Sequence, residues 1–309
     1  MGFECALSAT RGDRAYQEDS AVFWPGPATF AHDLHLPAPE DHVVLAILAD
    51  GMGGHAGGAT ASETACHAFL AAMAGLIDLT PFRTERTCPI EGGPGCDDDD
   101  EQHETTLTRP PSVPATDDDL TAALAVANAL IGDKAESDPN LAGMGTTLVG
   151  ASFTDEALEW VSVGDSPLYL YRDGEIALLN EDHSLAPALD QLARDGHITR
   201  EAALTDPRRH MLRSALTGEP LDLVDRSRRP LSLAPDDIVI LASDGIQTLE
   251  TRALTSLVTA SRDGGADRIA DAIVKAVEHM GIPHPVSYTH LTLPTNVSMC
   301  RSRWGPEHD

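Results

Sequence analysis

Six short apolar runs bounded by turn residues predict β-strands: HVVLAILA (42–49), TTLVGASF (146–153), ALEWVSVG (157–164), LYLY (168–171), EIALL (175–179) and DIVILAS (237–243). The segment Tyr171-Arg172-Asp173-Gly174-Glu175 sets an Asp-Gly pair between two of these runs, the mark of a tight antiparallel hairpin. A longer period predicts helices through Ala65, Phe69, Met73 and Leu76, through Leu120, Leu124, Ala127 and Ile131 behind a cluster of Asp, and through Ile269, Ile273 and Val277. Strands joined by hairpins, with helices arriving in pairs, imply an antiparallel α+β layered fold and argue against a βαβ array.

The pattern fails across residues 80–119, which are rich in Pro, Gly and Asp and carry no periodic apolar positions. Such a stretch cannot bury enough surface to order itself, so it reads as a disordered acidic insertion within a single domain spanning 1–309. Cys88, Cys96 and the run Asp97–Asp100 inside it are read as a solvated loop. With 42% apolar residues in 309, the rest of the chain can build a core.

A net charge of −28 and a pI near 4.6 argue against nucleic acid or an anionic membrane as partner. Five cysteines show neither an even framework nor a zinc-type spacing, which implies free thiols in a reducing compartment. The N-terminal residues lack a signal-peptide pattern, and no apolar run approaches the ~18 residues of a membrane span. A cytoplasmic monomer is the expectation.

LADGMGGHAGGATAS (48–62) poses the chemical question. Gly51-x-Gly53-x-x-Ala56 follows a strand and precedes a helix, which satisfies a relaxed dinucleotide fingerprint. Against that reading, Asp50 stands between strand and glycine, where its charge would oppose a pyrophosphate. The competing reading rests on repetition: VVLAILADG, LEWVSVGDS and DIVILASDG end three strands in Asp50, Asp165 and Asp244. Carboxylates brought together in this way call for a hard divalent cation, and the carbonyl of Gly51 could serve as a further oxygen ligand. Upstream, GDRAYQEDS places Arg14 and Glu18 on one face if extended; a guanidinium beside metal-binding carboxylates suggests phosphoryl chemistry.

Taken in order, GDRAYQEDS, LADGMGGHAGG, GMGTTLVGASF, VGDSPLYLYRDGEI, EDHSL, LRSALTG and DDIVILASDGI resemble the successive motifs of the metal-dependent protein phosphatases of type 2C, in their bacterial form. The resemblance implies a four-layer α-β-β-α sandwich with the metal site at one end. It also implies hydrolysis of phosphoserine and phosphothreonine by water activated at two Mn²⁺ or Mg²⁺ ions, with a weaker third site. Asp50 would bridge the ions and Gly51 would bind through its carbonyl. Glu18 would serve the second ion with Asp19 in the outer shell, Asp244 would bind the first ion, and Asp165 would join it at the third site. Arg14 would grip the phosphate. The partners implied are phosphorylated proteins that are substrates of a cognate Ser/Thr kinase. Gly145, Thr146 and Thr147 would pack beneath the site and Ser166 would support it, while His55 and His183 read as structural. The general acid stays unassigned, because Met52 stands where eukaryotic relatives carry a histidine. Residues 185–211 correspond to a variable flap.

The sequence departs from that pattern at Gln17, at Pro167 and above all at Val286–Asn296, VSYTHLTLPTN. The family's last motif is Asp-Asn followed by a strand; Asn296 matches the Asn, and Thr295 stands in place of the metal-binding Asp. Two explanations remain open. The segment is native, making a metal-deficient enzyme or a phosphoprotein-binding pseudophosphatase, or it is a foreign insert resembling translated sequencing-adapter text. The second is preferred.

Overall fold

The computed structural model describes residues 3–10, 17–25, 43–53, 56–79, 82, 117–154, 157–280 and 288–294. Two sheets, antiparallel at every pairing, form the centre. The first is ordered β1(Ala6–Thr10)-β12(Tyr288–Pro294)-β11(Ile238–Ala242)-β7(Leu168–Arg172)-β8(Glu175–Leu178). The second is ordered β10(Leu231–Ser232)-β6(Ala157–Val163)-β5(Leu148–Phe153)-β3(Val44–Met52)-β2(Asp19–Trp24), with β4(Gly145–Thr146) on β3 and β9(Asp225–Arg226) on β6.

Period-2 alternation explains how the layers stack. In β3, Val44, Ala46 and Leu48 join the core between the sheets, while Leu45, Ile47 and Ala49 pack on α1(Ala56–Met73) and α2(Asp117–Ser137). In β11, Val239 and Leu241 face the same intersheet core, and Ile238, Ile240 and Ala242 pack with α5(Thr251–Ser261) and α6(Gly265–His279). Both central strands are buried on both faces, which is why they read as unbroken apolar runs. The expected α-β-β-α sandwich is the observed one, and the antiparallel strand order excludes the βαβ unit a dinucleotide site needs. Two short helices, α3(Ala186–Arg194) and α4(Arg200–Thr205), occupy the flap region.

Local expectations hold with two corrections, at Leu76 and over 146–153. The Asp-Gly hairpin is present, with Asp173 at φ 52° and Gly174 at φ 85°, the two positive angles its turn requires. Leu76 is not part of the helical face: α1 stops at Met73, Gly75 follows at φ 74°, and Leu76 is 54% exposed. The run 146–153 is two strands, because Thr147 leaves the ladder to support Asp50. The acidic stretch 80–119 lies outside the described residues apart from Phe82 and the first turn of α2, which already begins at Asp117. The anomalous segment supplies a strand before Asn296, β12, seated between β1 and β11.

Gly150 shows how tightly α1 sits on the sheet. A Cβ there would come within 2.4 Å of Phe69 Cζ. Gly150→Ala should destabilise the fold by about 1–3 kcal/mol through overpacking, read as a lower urea midpoint with an unchanged slope. An unshifted midpoint would show that Phe69 yields freely.

Candidate metal centre

The alternation that builds the core also delivers the acids. Continuing Ala46 and Leu48 by two residues places Asp50 on the intersheet face, and stepping back from Phe23 and Ala21 places Asp19 on that face too. The register makes Asp19 and Asp50 direct cross-strand partners. Like charges in such a pair repel, and both residues sit where water is scarce. Ser243, continuing Val239 and Leu241 in β11, donates its hydroxyl hydrogen to Asp19 Oδ2 at 3.0 Å, a link from one sheet to the other. The next residue, Asp244, opens a 3₁₀ turn, and Asp165 follows β6 through Gly164 at φ 105°.

Glu18, Asp50, Gly51, Asp165 and Asp244 line one open cleft of about 750 Å³. Burial, then the charges of Asp19 and Asp244, then a hydrogen bond with Asp19 and the charge of Asp165, hold the Asp50 carboxyl well above the ordinary carboxylate range. Asp165 is pushed up to about 8 by burial and by the charges of Asp244 and Asp182. Asp182 had no place in the motif-based expectation. Among the described residues, no three acid or imidazole side chains already close on one point as a full ligand set does. The donors are all oxygens, grouped in a cleft open to water. That suits Mg²⁺ or Mn²⁺, which keep several waters, better than a site enclosed entirely by protein.

A hydrogen-bond chain fixes the backbone of Asp50. Asp50 N–H donates to Thr147 Oγ1 at 3.0 Å, and its carbonyl accepts from Thr147 N–H at 2.9 Å and from the Thr146 hydroxyl at 2.8 Å. Thr147 Oγ1 and Ser166 Oγ share a hydrogen at 2.8 Å, which carries the brace to the neighbour of Asp165. The supporting roles expected of Thr146, Thr147 and Ser166 have this geometric basis. Gly51 N–H donates to the Glu18 carbonyl at 3.2 Å, and a Cβ on Gly51 would fall 2.1 Å from the Gly58 carbonyl oxygen. A Cβ on Gly58 would fall 3.1 Å from Glu18 Oε1. These glycines let α1 pack closely against Glu18 and the end of β3.

His183 is structural, as expected. Its Nδ1 accepts from Gly164 N–H at 3.2 Å, its own N–H donates to the Gly164 carbonyl at 3.0 Å, and burial lowers its pKa. Arg14, His55, Thr295 and Asn296 lie outside the described residues. His210 and Arg213, both exposed and from the stretch between α4 and β9, line the same cleft. Arg213 belongs to the motif LRSALTG without an assigned role there, and His210 stands in a polar loop with no periodic signal. At the carboxylate end β12 begins at Tyr288, with His290 paired to Ala242; Pro294 pairs with Ile238, about 13 Å back along β11 at ~3.3 Å per residue. The described strand YTHLTLP contains no acid.

Comparison with known proteins identifies the family. Residues 32–278 match the family model for Protein phosphatase 2C. The chain belongs to that family. It is 31% identical over 247 residues to the serine/threonine protein phosphatase PstP of Mycobacterium tuberculosis, covering 76% of this chain, and it spans only 41% of that relative's length. It is 30% identical over 252 residues to the serine/threonine phosphatase stp of Listeria monocytogenes, covering 76% of this chain and 86% of that one. The crystal structure of M. tuberculosis PstP/Ppp superposes with a TM-score of 0.66 at 26% identity, covering 95% of this chain and 99% of that one. A structure of the PstP catalytic domain in complex with two manganese ions superposes with a TM-score of 0.61 at 27% identity, covering 94% and 97%.

The raised Asp165 carboxyl makes a pH prediction for the metal-free chain. Below the unfolded value of about 3.9 both states hold the proton and nothing is lost. As pH rises towards about 8 the unfolded state releases its proton while the folded state does not, so stability drains across that window. In chelator, the melting temperature of wild type should fall relative to Asp165→Asn between pH 4 and 8 and level off above it. A constant difference would show that Asp165 ionises freely in the fold.

Proposed function

We propose that this chain is a Mn²⁺- or Mg²⁺-dependent protein serine/threonine phosphatase, one domain over residues 1–309 with an acidic insertion at 80–119. The carrying observation is the cross-strand pair Asp19 and Asp50, with Asp50 lining one cleft with Glu18, Asp165 and Asp244. Asp50, Gly51 through its carbonyl, Glu18 and Asp244 would hold two ions, with Asp19 behind them and Asp165 at a weaker third position. When bound, such ions neutralise phosphate charge and acidify a water for in-line attack. Arg14 would grip the phosphate from one side. Arg213, which lines the same cleft and is exposed, would neutralise a second phosphate oxygen. His210, also lining it, would protonate the departing serine or threonine oxygen. The Thr147–Ser166 brace would keep Asp50 from relaxing away from its neighbours. Phosphoproteins modified by a cognate Ser/Thr kinase are the proposed partners, and a cytoplasmic monomer is the proposed state. No helix among the described residues is long and apolar enough to cross a membrane.

A second reading rests on the acid-free β12: a phosphoprotein-binding module that kept the fold and lost a metal ligand. Calorimetric titration separates the two, with two tight Mn²⁺ sites supporting the enzyme and one or none the module. For the enzyme, Asp50→Asn should lower kcat on p-nitrophenyl phosphate and on a phosphothreonine peptide by about 10²-fold or more, since a bound ion supplies several kcal/mol at the transition state. Full activity in excess EDTA, or in Asp50→Asn, would contradict the reading.

A further inference from the structure

A second cleft, of about 720 Å³, opens at the edge of the second sheet where β9 and β10 border β6. Arg226, Arg228 and Arg229 converge on it beside Trp160 and Leu231, a concentration of positive charge on a chain of net charge −28. Ser227 sets their direction. It is 1% exposed, its N–H donates to the Trp160 carbonyl at 3.0 Å, and its hydroxyl accepts from Trp160 N–H at 3.2 Å. Alternate residues of an extended segment point to opposite sides, so Arg226 and Arg228 stand outward on either side of this pinned serine.

The neighbouring charges leave Arg228 and Arg229 uncancelled. Asp225 Oδ2 already accepts from Trp160 Nε1 at 3.1 Å and from Glu181 N–H at 3.2 Å, while the Glu181 carboxylate is exposed at the rim. Arg172 Nε donates to Asp237 Oδ1 at 2.8 Å and its Nη2 to the Ser232 carbonyl at 2.9 Å, so this fourth arginine braces the segment. Among the described residues Arg228 and Arg229 form no ion pair.

We propose that this cleft binds an acidic segment of the substrate, on the same extended chain whose phosphoresidue enters the metal centre. The proposal rests on the phosphatase reading above. Arg226 lies opposite Val161 and Leu231 opposite Leu158, four and seven residues before Asp165 on the strand that leads to it. At ~3.3 Å per residue the cleft therefore lies about 13–23 Å from Asp165. An extended peptide crosses that span in about four to seven residues, so Glu or Asp at those positions from the phosphoresidue would meet the arginines.

The test compares phosphothreonine peptides that carry Glu, or Ser, four to seven residues to either side of the phosphoresidue, on wild type, Arg228→Ala/Arg229→Ala and Arg228→Lys/Arg229→Lys. One acidic peptide should be preferred by wild type. The alanine pair should lose about 3- to 10-fold in kcat/KM on it, as expected for two exposed charges, while p-nitrophenyl phosphate and the Ser peptides are unaffected. The lysine pair should retain most of the preference, and high salt should abolish it. Anisotropy of a fluorescent, unphosphorylated Glu-rich peptide should weaken by the same factor and needs no turnover. Binding that depends on the arginines without any hydrolysis would sink the phosphatase reading and keep the cleft. Hydrolysis with no preference for acid would sink the cleft and keep the phosphatase. Sedimentation showing that the arginines hold two copies of the chain together, with peptide preference unchanged, would also overturn the proposal.

Discussion

The cleft end of the sandwich depends on the enforced proximity of Asp19 and Asp50, locked opposite each other by the β2–β3 register. Neither can move away without breaking a ladder whose next positions, Ala21 and Leu48, are fully buried. A one-residue slip would relieve the acids and turn the whole apolar set of the strand to the wrong face. The sandwich therefore holds its carboxylates together by the cohesion of its core, and the cation that would relieve the strain can bind without building the site first. The hydroxyl of Ser243 on Asp19 spreads the same constraint to the other sheet, so the two sheets share one electrostatic problem at their common end.

Much of this was legible in the chain. Asp50, Asp165 and Asp244 each end an apolar run, and a strand buried on both faces continues its alternation into the acid that follows. The carboxylates could thus be placed at the end of the core from spacing alone. The register of Asp19 on Asp50 was not legible, because pairing is a property of two strands and only one of them reads clearly as a strand. The same limit hid Ser243, Asp182, His210 and Arg213, which matter through what they face across the fold. The packing role of Gly51 and Gly58 was not legible either: α1 lies close against Glu18 there, a helix-to-strand contact that local pattern does not encode.

The helical layers show which signals survive translation into structure. Leu120, Leu124 and Ile131 are buried as their period requires, and so are Ile269, Ile273 and Val277. Leu76 kept the period and still lies outside α1, because Gly75 adopts a left-handed backbone just beyond the last turn. Periodicity describes a face only as far as the backbone continues, and a single glycine ends it.

The place of β12 carries a wider consequence. It is held in the slot between β1 and β11 by main-chain ladders, which fix its backbone without requiring an acid at any position. Completing the sheet and supplying a carboxylate to the cleft are separate demands on one segment, and only the first is enforced by folding. A scaffold with such a slot can lose an enzyme's ligand and keep its architecture intact, which makes stability a poor guardian of activity at this position.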